Sequence, residues 1–120
     1  MSRDYRKLRV FVLADSLVTT IYRMTNEFPA SERFGLQSQL RRSALSVSTN
    51  IVEGSARRST GEYVNFLNIA AGSSSETRYL AEVSERFGFL THAEATELRS
   101  AYTKICAQLE ALIQSLSPEP

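Results

Sequence analysis

The chain has 120 residues, 42% of them apolar and 22% charged, with 5 Gly, 3 Pro, 1 Cys and a net charge of +1. That composition argues against wholesale disorder, a disulfide framework and a Cys-only zinc site. Residues 1–120 are expected to form one domain with a real core.

The charge is uneven. Residues 1–60 hold 10 Arg/Lys against 5 Asp/Glu, net +5, and residues 61–120 hold 4 against 8, net −4. Two readings follow: a half that faces nucleic acid, or basic and acidic helices that attract each other inside one bundle. The segment Arg6–Tyr22 places basic residues before an apolar run. Asp15 interrupts that run and no small-residue cleavage site follows, so no export signal is expected. No apolar run approaches the ~20 residues of a spanning helix. The expectation is a cytoplasmic protein with no membrane association.

The first helix is predicted over about 4–26. Phe11, Ala14, Val18, Ile21, Thr25 and Phe28 form one seam, and Val10, Leu13, Leu17 and Met24 a second. So broad a face suits a central helix, or one whose second seam meets another subunit. Pro29 ends it, because the residue before proline avoids helical dihedrals.

The second helix is predicted over about 36–56 and carries two seams of one period. Leu36, Leu40, Ala44, Val47 and Ile51 are apolar; Gln39, Arg42, Ser46, Asn50 and Glu53 are polar. An inward-leaning polar seam must find partners on another helix. It is either a hydrogen-bond network that sets register or the lining of a polar pocket. If Glu53 is paired inside, Glu53→Ala should cost more than ~2 kcal/mol.

Ser59-Thr60-Gly61-Glu62 reads as a capping box that opens a third helix, about 60–87. The run Ala70–Ser75 is small throughout, and Gly72 there costs ~1 kcal/mol of helix propensity. It marks either close approach of a neighbour or a break in the helix. Gly88 suits a C-terminal cap, and Thr91-His92-Ala93-Glu94 opens a fourth helix, about 92–116. There Ala95, Leu98, Tyr102, Ile105, Leu109, Leu112 and Leu116 alternate steps of 3 and 4, the seam of a left-handed bundle. Residues 117–120 read as a frayed tail. The fold class is all-α: an antiparallel up-down-up-down left-handed four-helix bundle.

Chemistry is sparse. His92, the one histidine, falls at a cap; Cys106 reads as a small hydrophobe; no Glu-x-x-His pair or Walker-type loop is present. No enzymatic activity, no cofactor and no metal site are expected. The remaining candidate is basic. The start of the first helix and the end of the second share one end of such a bundle. Arg3, Arg6, Lys7, Arg57 and Arg58 are therefore expected to form a basic rim there, with Arg41 a further candidate for nucleic-acid contact. The alternative is an ordinary solvated end.

Several segments together carry a family resemblance: Tyr5–Leu8, Ile21-Tyr22, Phe28-Pro29, Glu32, Phe34-Gly35-Leu36, Gln39, Arg41–Ala44, Ser46 and Asn50–Gly54, then Gly72-Ser73, Glu76 and Gly88–Leu90. Over about residues 5–115 the chain resembles the four-helix bundle family first noted as open reading frames in 23S ribosomal RNA intervening sequences. It is similar, more distantly, to the accessory variability determinant of diversity-generating retroelements. The resemblance implies a homopentameric ring with no known enzymatic activity. The retroelement relatives imply RNA or DNA and a protein as candidate partners besides the chain itself. This chain departs from them in being nearly neutral.

Overall fold

The apolar seams of all four predicted helices meet in one core, because each helix is too apolar on one side to stand alone in water. The computed structural model describes residues 3–116; the predicted tail, residues 117–120, lies outside them. They form four α-helices and no strand: α1 (Arg9–Thr25), α2 (Leu36–Ser55), α3 (Thr60–Arg86) and α4 (His92–Leu116). Their extents are 46 × 22 × 20 Å, so the long axis follows the helices.

The first helix starts later than its periodicity suggests. Asp4 caps a separate 3-10 turn, Tyr5–Lys7, by accepting from Arg6 N at 3.1 Å. Leu8 is extended, with φ −80° and ψ 126°, and breaks the run before Arg9. Both seams of α1 reach this chain's own core: Ala14 and Ile21 from one, Val10, Leu17 and Met24 from the other, are buried. A second 3-10 turn, Ala30–Glu32, follows Pro29, and Glu32 Oε1 accepts from Leu36 N at 3.0 Å to start α2.

The Thr91 capping box forms on both sides and the Ser59 box on one, with the Ser59 hydroxyl also donating to Glu62 Oε1 at 3.1 Å. Ser59 Oγ accepts from Glu62 N at 3.1 Å, and Thr91 and Glu94 each accept the other's backbone N–H, at 2.9 and 3.0 Å. Gly88, with φ 79°, closes α3 in the left-handed conformation. The N–H of Phe89 returns to Ser84 O and that of Gly88 to Glu85 O, a Schellman pattern that satisfies two end carbonyls. The small-residue run does not break α3, which is continuous through Ser75.

Two hydroxyl contacts tie α2 to α3: Thr77 Oγ1 to Ser43 Oγ, and Ser46 Oγ to Ser73 Oγ, both 2.7 Å. Arg78 Nη1 donates to Thr103 Oγ1 at 3.0 Å between α3 and α4. Along the two α2–α3 contacts the residue numbers rise on one helix as they fall on the other. In α4 the heptad holds through Leu109; beyond it Ile113 is buried and Leu112 only partly, as a 3.6-residue turn drifts off a 3.5-residue repeat.

Candidate nucleic-acid interface

Guanidinium groups gather where α2 ends and α3 begins. Arg57 N donates to Gly54 O as the last turn of α2 closes, and Arg57 and Arg58 then lie in the short connection before Ser59. The segment before α1 returns to this place. Arg3 Nη1 donates to Arg57 O at 2.9 Å, Nη2 lies 3.5 Å from Thr60 Oγ1, and the guanidinium sits 4.6 Å from the Tyr63 ring centroid. Arg3, Tyr5, Val52, Arg57 and Arg58 line a cleft of about 490 Å³.

The three arginines are not equivalent. Arg3 holds the Arg57 carbonyl in the connection that follows α2. Arg57 stacks over Phe66 at 4.8 Å and lies 3.8 Å from Glu53. Arg58 makes no hydrogen bond or ion pair among the described residues and is exposed. Burial pushes the Tyr63 hydroxyl above its ordinary range, and the charge of Arg3 pulls against that shift.

The other expected members of the rim are placed differently. Arg6 stays near, stacked over Tyr5 at 4.9 Å and 3.8 Å from Asp4. Lys7 turns away, into a groove between α1 and α4 that it lines with Arg9 and Lys104. Arg41 belongs to the opposite end of α2. Its Nε donates to Thr25 Oγ1 at 2.8 Å, and its Nη2 to Tyr22 O and Asn26 Oδ1, both at 3.2 Å. It therefore ties α2 to the C-terminus of α1, where a cation complements the helix dipole.

The polar seam of α2 does not lean inward. Gln39, Arg42 and Glu53 are exposed, and only Ser46 and Asn50 are half-buried. Asn50 Nδ2 donates to Ser46 O at 2.8 Å and lies 3.0 Å from Ser46 Oγ. The reason is the width of the buried arc. Ser43, Ser48 and Ser55 enter the interface beside Leu40, Val47 and Ile51, and the arc is full before it reaches the charged residues. The Ser43 and Ser55 hydroxyls bond to the preceding turn and so enter at little cost, Ser48 Oγ is small enough to enter without a partner among the described residues, and charges cannot enter so cheaply. Ser43 Oγ, for instance, donates to Leu40 O.

A second aromatic and basic surface escaped the sequence reading. Tyr22, Arg33, Phe34, Arg41, Arg42 and Leu45 line an open depression of about 410 Å³. Phe34 is 89% exposed. The available signal was a bulky aromatic in the connection before α2 that belongs to no seam. Among the described residues, no three His, Cys, Asp or Glu side chains converge as a metal site would require, and no helix is long and apolar enough to cross a membrane.

An all-α bundle whose clustered chemistry is guanidinium and aromatic rings is the class these features define. Residues 6–111 match the family described as 23S rRNA-intervening sequence protein, and the chain belongs to that family. A crystal structure from Bacteroides thetaiotaomicron VPI-5482, described as a protein with unknown function from the S23 ribosomal protein family, has the same fold. It superposes with a TM-score of 0.80 at 24% identity, over 88% of this chain and 95% of that one. Among curated proteins none matches.

Proposed function

We propose that the protein is a non-enzymatic, cytoplasmic accessory factor that binds RNA or DNA, or a ribonucleoprotein, through the end of the bundle where Arg3, Arg57 and Arg58 meet. In this reading residues 1–120 are one antiparallel up-down-up-down, left-handed bundle that joins copies of itself into a homopentameric ring. The carrying observation is the cleft of about 490 Å³ with three guanidiniums on its walls. Phosphates are held by such groups, and repeating the cleft around a ring multiplies weak contacts into useful affinity.

A structured RNA and a duplex DNA titrated across a salt series test this reading. Binding should weaken steeply with salt. Arg57→Glu with Arg58→Glu should abolish it. No binding at low salt, or binding unchanged by the double replacement, removes the proposal. Solution mass by light scattering tests the ring, and a single copy in dilute buffer removes that part.

A second reading, a scaffold for a protein partner without nucleic acid, is favoured by Val12, Ile69 and Tyr79. These are 56%, 51% and 57% exposed, and none of them lines the arginine cleft. Specific capture of one protein with no bound nucleic acid supports it.

A further inference from the structure

The depression around Phe34 and the cleft around Arg58 lie on one face of α2. Ser38, Arg42, Leu45, Thr49, Val52 and Ala56 follow one another in steps of 4, 3, 4, 3 and 4, which keeps them on one stripe. All six are exposed or half-exposed. Arg42 and Leu45 line the depression at one end, and Val52 and Ala56 line the cleft at the other. From Arg42 to Ala56 the stripe covers roughly 21 Å at the rise of an α-helix. It carries no carboxylate, and neither cleft has one among its lining residues.

The chemistry of the far end is specific. The Arg41 guanidinium lies 4.3 Å from the Tyr22 ring centroid, fixed there by its bonds to Thr25 Oγ1 and Asn26 Oδ1. The Arg33 guanidinium lies 5.7 Å from the Phe34 centroid, and at 89% exposure the Phe34 ring is open to further stacking. Arg42 has no hydrogen bond or ion pair among the described residues. Flat rings and guanidinium planes beside a free cation suit a base and its phosphate. A duplex hides its base faces inside the stack, so only an unpaired strand can use them.

We infer that an unpaired nucleic-acid strand lies along this face of α2, with a base stacked on Phe34, a phosphate at Arg42 and its far end in the cleft at Arg57 and Arg58. The inference rests on the nucleic-acid reading above and deepens it. It names the strand state and a second contact site that the basic rim alone does not require. Arg41 ties α2 to the end of α1 and is not one of the contacts, which are Phe34 and Arg42.

The test uses the full chain with four fluorescent probes of one sequence, about 12 nucleotides long, a length within the range of known single-strand sites. The probes are RNA and DNA, each single-stranded and as a duplex. The single strand should bind more tightly than its duplex, and the tighter of the RNA and DNA strands identifies the sugar. Phe34→Ala should weaken single-strand binding by about fivefold or more, as loss of a stacked base does, and leave the duplex within about twofold. Arg42→Ala should lower the salt slope for the single strand by about 0.7, the value of one phosphate contact. Thermal melting of each variant confirms that it folds.

The outcomes separate the two claims. No probe bound at low salt removes the nucleic-acid reading itself. Binding that prefers duplex, or that Phe34→Ala and Arg42→Ala leave within about twofold while Arg57→Glu with Arg58→Glu abolishes it, overturns the strand and leaves the rim. If Phe34→Ala lowers the solution mass and does not change affinity, Phe34 is a contact between copies, and the strand is again overturned.

Discussion

Gly54 of α2 sits against Phe66 of α3 so closely that a methyl group on Gly54 would lie 2.8 Å from Phe66 Cβ and 3.0 Å from Tyr63 Cδ1. The obstacle includes the base of a side chain and the Tyr63 carbonyl oxygen at 3.3 Å, neither of which can swing aside. Gly54→Ala is therefore expected to destabilise by about 1–3 kcal/mol through overpacking, although alanine is the better helix former. Gly72 is the opposite case. Among the described residues nothing lies within 4 Å of a methyl group there, and the position is exposed. Gly72→Ala should stabilise the chain by about 0.5–1 kcal/mol. Urea unfolding of both variants checks the pair. If Gly72→Ala also lowers the solution mass, the close neighbour expected from the sequence at Gly72 is another copy.

Glu53 gives the plainest correction. Its side chain is 59% exposed, with Arg57 at 3.8 Å as its ion-pair partner. An exposed i,i+4 pair is worth little, so Glu53→Ala should change stability by no more than about 0.5 kcal/mol in urea unfolding. A loss above about 2 kcal/mol would mean that the residue is covered in the assembled protein.

The helices were legible because each carries its own punctuation. Pro29, the two capping boxes and Gly88 are local signals, and local signals do not depend on what the chain packs against. The α4 seam was legible through Leu109 for the same reason, as a 3-4 pattern. The polar seam of α2 was misread because a helix with apolar and polar residues on adjoining stripes does not announce where the buried arc stops. That depends on Ser43, Ser48 and Ser55, which the core accepts and which sequence counts as polar. The arginines were half legible. Arg57 and Arg58 were placed by helix direction alone. Arg41 and Lys7 needed the helix faces, which only packing supplies. The exposure of Phe34 was not legible, because an aromatic in a connection has no period to say which side it faces.

Tyr102 is fully buried, and its hydroxyl has no hydrogen-bond partner among the described residues. Burial pushes its pKa well above the ordinary tyrosine value of 10.0. The sign follows from proton linkage. Below that ordinary value the phenol is neutral in both states and stability is fully present. Above it the unfolded phenol ionises and the folded one does not, so stability falls as pH rises past 10.0. One such group contributes at most ~1.4 kcal/mol per pH unit. Tyr102→Phe should leave stability unchanged or raise it by about 1 kcal/mol at neutral pH, since an unpaired hydroxyl is removed. It should also flatten the loss of Tm above pH ~10 relative to the parent chain. Equal alkaline slopes in the two proteins would show that the Tyr102 hydroxyl reaches water or a partner.

The arginine cleft makes its own division of labour testable. Arg3 holds a backbone carbonyl and a ring, so Arg3→Ala should cost about 1 kcal/mol of stability whether or not nucleic acid is present. Arg58 makes no hydrogen bond or ion pair among the described residues. Arg58→Ala should leave the urea midpoint where it was, yet weaken binding of a nucleic-acid probe and reduce its salt dependence by the contribution of one phosphate contact. The two variants therefore separate folding from recognition within one cleft. If Arg58→Ala shifts the unfolding midpoint as far as Arg3→Ala does, Arg58 has a structural partner. If Arg58→Ala changes neither the midpoint nor the affinity, the cleft is a solvated end and phosphate is held elsewhere.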